Sequence, residues 1–182
     1  MRINEIFYSL QGEGFWTGTP IIFVRFSGCN LHCDFCDTQH EAFLEMTETE
    51  ILSEIQKFPA RRVCLTGGEP SLQITKSFID LLRSKKYIIH IETNGTNALP
   101  DGIDWITLSP KNQNIALQKA NELKIVYINV ENVELEKWLS FDAAHFFLQP
   151  CSNQNTAEVI DYVLTHPQWR ISLQVHKFLG IR

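Results

Sequence analysis

Cys29, Cys33 and Cys36 lie in one short run, GCNLHCDFCDT, spaced as CxxxCxxC. Three thiolates at that spacing can converge from a single loop on one metal centre. A structural zinc or iron–sulfur site ordinarily closes its shell with four protein ligands. Three ligands therefore point to a centre with one position open. On a cuboidal 4Fe–4S cluster that position is an unligated iron, available to bind and activate a small molecule. A zinc site is the competing reading, but zinc sites of this kind show two separated ligand pairs, and no second pair occurs here. His32, Asp34, Cys64 or Cys151 would then have to supply a fourth ligand. A disulfide framework fits poorly, because the five cysteines are an odd count without a secretory leader.

The chain that carries this loop has 182 residues, a size that suits one domain over 1–182 with one substantial core. Its content is 44% hydrophobic and 20% charged, ordinary for a soluble globular protein. A net charge of −5 argues against general nucleic-acid binding, while leaving room for a local basic pocket around an anionic small molecule. The apolar runs IIFV and FF are far too short to span a bilayer, and MRINEIFYSL lacks a charged-then-apolar leader. The expectation is a cytoplasmic protein without membrane or nucleic-acid partners, in a reducing compartment that suits thiolate-bound iron.

Short β-branched and aromatic runs alternate with helical patterns along the chain. Strands are expected at 21–26, 62–66, 87–92, 104–108, 124–129, 145–149 and 171–176. A helix opens at Thr47, where Glu50 three residues on completes a capping box, and Ile51, Leu52 and Ile55 give it an apolar face. A second carries Ile74, Phe78, Leu81 and Leu82, and others are expected near 113–121, 133–140 and 155–165. Alternating strands and helices imply βαβ units and a parallel sheet with right-handed crossovers. A complete eight-fold barrel needs about 250 residues. The fold class expected is therefore α/β, a partial, open β/α barrel; a doubly wound sheet is the alternative.

In such folds the active site lies beyond the carboxyl ends of the strands. The cysteine loop follows 21–26, TGGEP (Thr66 to Pro70) follows the next strand, and TNGT follows 87–92. Ser109-Pro110-Lys111, Gln149-Pro150 and His176-Lys177 sit at the ends of three more. Turns are commonly rich in Gly and Pro, yet these would share one rim. Gly67-Gly68 would let a ligand approach bare backbone, and Glu69 could accept from a ligand ammonium; a tight turn with a solvated Glu is the plainer reading.

With both CxxxCxxC, with Phe35 before its last cysteine, and GGEP (Gly67 to Pro70) in order, the chain resembles the radical S-adenosylmethionine (radical SAM) enzymes. LQGEGFWTGTPIIFVRFSGCNLHCDFCDT (Leu10 to Thr38), LTGGEP, ETNGT, SPK, the QP pair and LQVHKFLGIR look like the 7-carboxy-7-deazaguanine synthases among them. That resemblance implies a carbon–nitrogen lyase of queuosine biosynthesis, which converts 6-carboxy-5,6,7,8-tetrahydropterin to 7-carboxy-7-deazaguanine by radical ring contraction with loss of ammonia. It further implies a 4Fe–4S cluster, S-adenosylmethionine, magnesium, a flavodoxin- or ferredoxin-type reductant and a homodimer.

By the same resemblance Cys29, Cys33 and Cys36 would ligate the cluster. Phe35, Gly67, Gly68, Glu69, Ser109, Pro110, Lys111 and Gln149 would hold S-adenosylmethionine, and Thr38 would give magnesium an oxygen ligand, which suits a hard cation. Leu10, Gln11, Gly12, Glu13, Arg25, Thr66, His176 and Lys177 would hold the pterin. Arg25 can make a planar two-point contact with its carboxylate, and Glu13 can accept from its guanidine-like edge. Taken alone, Arg25 could be a solvent-facing strand residue and Thr38 a turn cap. Cys64 reads as a packed core residue; Cys151 has no assigned role. The chain is short for the family, with a compact stretch between Thr38 and Thr47. A glycyl-radical activating enzyme and a non-catalytic iron–sulfur electron-transfer module are the competing functions; QGEG and CDT argue against the first, GGEP against the second.

Overall fold

Period-two alternation along the strands sorts side chains onto two faces, and a computed structural model shows what each face meets. It describes residues 1–36, 42–128 and 135–182, with the backbone alone at Asn153. The strands are β1 (Arg2–Leu10), β2 (Pro20–Phe26), β3 (Leu44–Glu45), β4 (Arg62–Gly67), β5 (Ile88–Thr93), β6 (Trp105–Leu108), β7 (Lys119–Tyr127), β8 (Asp142–Pro150) and β9 (Arg170–Ile171). They form one sheet in the order β3-β1-β2-β4-β5-β6-β7-β8-β9. Pairing is parallel from β2 to β9, and β1 lies antiparallel between β2 and β3. The ends of the sheet curl toward each other without pairing. The chain beyond β9 bridges them: the Val175 N–H donates to Gly12 O at 2.9 Å and Ser9 Oγ to Arg182 O at 2.6 Å. This is the open barrel expected.

Helices cover the convex face. The first, α1 (Glu48–Ile55), opens on the predicted capping box: the Glu50 N–H donates to Thr47 Oγ1 at 3.3 Å and the Thr47 N–H to Glu50 Oε2 at 2.7 Å. The next, α2 (Lys76–Ser84), is capped by Thr75, which accepts the Phe78 N–H. Both bury their apolar stripes on Ile22, Val24, Phe26, Val63, Leu65, Ile89 and Ile91 in one core cluster. A second cluster joins α3 (Leu135–Trp138) and α4 (Thr156–Thr165) to Leu108, Leu123, Ile125 and Leu148. The alternate residues of β2, β4, β5 and β7 face the concave side. Phe7, Ile21, Phe23 and Cys64 make a small apolar cluster there, and Arg25, Thr66, Glu92, Glu122 and Lys124 bring polar groups to the same face.

Several elements differ from the sequence expectations. Residues 119–121, assigned to a helix over 113–121, begin β7 instead. Helix-favouring residue types there yield to a slot between β6 and β8, where tertiary pairing overrides propensity. The strand over 171–176 shrinks to Arg170–Ile171, and His176 and Lys177 belong to α5 (Val175–Leu179). The helix near 133–140 is Leu135–Trp138, with 133–134 outside the described residues, as is residue 129 of the predicted strand 124–129. The half-exposed β1 and the two-residue β3 had no clear apolar run to announce them. Among the described residues no helix is long and apolar enough to cross a membrane.

Candidate active site

Because β2 and β4 to β8 run parallel, the turns that follow them share one rim. That rim surrounds a cavity of about 1440 Å³ that continues down the concave face. Cys29, Cys33, Cys36 and Phe35 line it from above, with Gly67, Gly68, Ser109, Lys111 and Gln149 around the side. Leu10, Gln11, Gly12, Glu13, Arg25, Thr66, His176 and Lys177 line its deeper part. Glu69 and Pro110 stand behind the wall, and Thr38 lies outside the described residues.

The cysteine loop has almost no regular structure and is held by its neighbours. Within it the Cys36 N–H donates to Cys33 O at 3.0 Å, and the Leu31 N–H points at Cys29 Sγ at 3.4 Å. Asn30 ties it to the loop after β5, donating to Thr96 Oγ1 at 2.8 Å and accepting from Asn94 Nδ2 at 3.0 Å. The GGEP turn runs against its base: the Gly68 N–H donates to Phe26 O and the Glu69 N–H to Gly28 O, both at 2.9 Å. Burial pushes the Cys29 and Cys33 thiols up, opposed at Cys33 by the Lys111 charge, so iron binding must displace their protons. Among the described residues no three Cys, His, Asp or Glu side chains converge on one ion. Three thiolates would serve three irons of a cuboidal cluster, one each, and leave the fourth open. Cys64 is fully buried away from the rim, and burial drives its thiol well up; Cys151 lines the cavity edge.

Glu69 was expected to meet a ligand ammonium, but its geometry is that of a lock. It is 0% exposed, and it accepts Thr93 Oγ1 and the Asn94 N–H, each at 2.7 Å, and the Ser71 N–H at 3.0 Å. It thereby joins the turn after β4 to the loop after β5, leaving the Gly67-Gly68 backbone to face the cavity. Glu69→Gln places an NH₂ where donors already point, at a cost of about 2 kcal/mol. The expected result is a melting temperature lower by roughly 4–8 °C in calorimetry; an unchanged value would contradict the lock.

Deeper in, charge is concentrated. Lys124 of β7 pairs with Glu13, which also accepts Gln174 Nε2 at 2.8 Å and Gln149 Nε2 at 3.2 Å. Glu92 of β5 accepts Gln11 Nε2 at 3.0 Å and Thr66 Oγ1 at 3.1 Å. Glu122 of β7 accepts the Phe15 N–H at 3.0 Å, and burial, opposed by Lys124, pushes its carboxyl up to about 7. Arg25 is held by Glu5 at 2.9 Å with its guanidinium at the cavity wall. At the opposite mouth Phe15 stacks on His145 and Trp105, with ring centroids at 4.4 and 5.1 Å. Lys124, Glu92, Gln174 and Asn30 were not singled out in the sequence. Glu92 was within reach, as the first residue of ETNGT.

A rim of three thiols over a polar barrel interior defines a class, and the model of the Radical SAM superfamily matches residues 23–164. The chain is 54% identical over 182 residues to the 7-carboxy-7-deazaguanine synthase of Bacteroides thetaiotaomicron, covering 100% of this chain and 98% of that protein. It is 41% identical to the synthase of Bradyrhizobium diazoefficiens, over 99% of this chain and 98% of that protein. The crystal structure of QueE from Escherichia coli superposes with a TM-score of 0.82 at 32% identity, covering 96% of this chain and 94% of that one. The chain belongs to the 7-carboxy-7-deazaguanine synthase family of the radical SAM superfamily. The glycyl-radical activating and electron-transfer readings give way to that full-length match.

Proposed function

We propose that this chain converts 6-carboxy-5,6,7,8-tetrahydropterin to 7-carboxy-7-deazaguanine and ammonia, a carbon–nitrogen lyase reaction supplying 7-deazapurine biosynthesis. The observation that carries the reading is the single cavity, with Cys29, Cys33 and Cys36 at its rim and Arg25, Glu13, Glu92 and Thr66 beneath them. The three cysteines would hold a 4Fe–4S cluster, which when bound would supply the electron for reductive cleavage of S-adenosylmethionine. The protein's own share is position and exclusion of side reactions.

In this reading the bare Gly67-Gly68 backbone meets the methionine ammonium, while Phe35, Ser109, Lys111 and Gln149 flank the rest of the cofactor. Arg25 takes the pterin carboxylate in a planar contact, and Glu13 and Glu92 accept N–H groups from the guanidine-like edge. Phe7 and Phe23 give the cavity an apolar wall. Magnesium, with Thr38 as an oxygen ligand, belongs to the proposal, as do a flavodoxin- or ferredoxin-type reductant, a homodimer, one domain over 1–182 and a cytoplasmic location. Expression in a queuosine-making bacterium that lacks its own synthase tests the reading in cells. Queuosine should return to its tRNA; its absence alongside iron-loaded protein would overturn the assignment.

A further inference from the structure

Lys124 is an unusual residue for the middle of a barrel strand. Its side chain is 5% exposed, and it points to the cavity side of β7. Its ion-pair partner, Glu13, sits on the irregular loop between β1 and β2, with a side chain 15% exposed. The pair therefore fastens a loop residue to a central, rigid strand. Glu13 Oε1 is occupied by Gln149 and Gln174, and Oε2 by Lys124. A carboxylate has about four acceptor sites, so one remains, on Oε2, for a ligand N–H.

The electrostatic setting makes Lys124 more than a tether. Glu13 faces Lys124 and Glu122 from β7, Glu92 from β5 and His176 from α5, with Arg25 and Lys111 farther along the same cavity. Burial alone would push the Glu13 carboxyl up; the Lys124 charge and hydrogen bond, with Gln174, bring it below its ordinary value. Burial alone would lower Lys124, but Glu13, Glu92 and Glu122 hold it far above the ordinary lysine range. Lys124 is thus charged at any working pH.

We propose that Lys124 is a positioning residue for substrate recognition: its ion pair fixes the Glu13 carboxylate as an acceptor aimed at the guanidine-like edge of the pterin. The proposal rests on the pterin reading above. Remove the ammonium, and Glu13 is a buried carboxylate beside Glu92 and Glu122. It then takes up a proton and presents an O–H where an acceptor is needed.

The test uses 6-carboxypterin, the oxidised and unreactive form of the substrate. Its fluorescence is titrated with cluster-reconstituted protein in the presence of S-adenosylmethionine and magnesium. For the wild type, Glu13 should add no pH dependence to Kd from about pH 6.5 to 8.5, because it stays ionised across that range. Glu122, whose carboxyl sits at about 7, and the ligand itself titrate there, so each variant is read as the ratio of its Kd to the wild-type Kd at the same pH. Lys124→Gln should raise Kd by about 30- to 100-fold at the acid end. That loss should shrink as pH rises and Glu13 ionises, by up to about tenfold per pH unit. Lys124→Arg keeps the charge and should hold that ratio near one at every pH. In a Glu13→Gln background, Lys124→Gln should add less than about threefold, since the two act as one unit. A loss that is independent of pH and additive with Glu13→Gln would overturn the proposal, as would an unchanged Kd. A wild type that binds S-adenosylmethionine but not 6-carboxypterin would overturn the pterin reading, and this proposal with it.

Discussion

Cys33→Ala should reduce 5′-deoxyadenosine formation to background and lower bound iron, while the melting temperature of the iron-free protein stays within about 2 °C of the wild type. Cys33 lies partly exposed on a loop that belongs to none of the apolar clusters. Its removal costs the fold little. It costs the cluster a third of its thiolates, and Cys64, buried away from the rim, cannot replace it. Cys64→Ala and Cys151→Ala are the matched controls. Both should keep the cluster, with Cys64→Ala losing some stability to the space left in a packed site. Loss of the cluster in either control would mean a fourth protein ligand and a closed iron site.

Gly68→Ala should be nearly as damaging, for a steric reason. A Cβ at this position would sit 2.0 Å from the Gly28 carbonyl oxygen and 2.5 Å from its carbon. Both are backbone atoms, so no side chain can swing aside. Gly28 immediately precedes Cys29, and the same strip carries the bonds from the Gly68 N–H to Phe26 O and from the Glu69 N–H to Gly28 O. Relief requires the two loops to part. Overpacking of this kind costs about 1–3 kcal/mol, and a displacement of about 1 Å at reacting groups can cost roughly a hundredfold in rate. Calorimetric S-adenosylmethionine binding and initial rates should both fall, the rate by about a hundredfold. Wild-type values for both would show that the close approach of Gly68 to Gly28 has no part in cofactor placement.

The contiguous parts of this site were legible because their chemistry is local. CxxxCxxC and GGEP each put their groups within a few residues, after strands whose parallel direction sends them to one rim. The capping box at Thr47 was legible for the same reason. The barrel floor was not. Lys124, Glu92 and Gln174 come from separate elements, and in sequence each is an ordinary polar residue on an alternating strand or in a turn. Only the register of β5 and β7 turns Glu92 and Lys124 toward Glu13. Glu69 departs from its expected role because a motif fixes residue identity but not which way a side chain leaves the turn. The helix expected over 113–121 fails because Lys119, Ala120 and Asn121 are read by propensity alone until β6 and β8 claim the segment. His176 and Lys177 reach the cavity by a different route, on α5 packed against Gly12, rather than from a strand end. A Cβ on Gly12 would lie 2.1 Å from His176 Nδ1.

The measurement that bears most directly on the whole account is an anaerobic turnover of the cluster-reconstituted chain. It receives S-adenosylmethionine, a reductant, magnesium and 6-carboxy-5,6,7,8-tetrahydropterin, and its products are read by mass against Cys33→Ala. The account predicts a product lighter than the substrate by one ammonia, with the mass of 7-carboxy-7-deazaguanine, absent from the variant. Formation of 5′-deoxyadenosine alone would leave the radical chemistry standing and contradict the pterin assignment. An intact cluster that yields neither product would contradict the account at its centre.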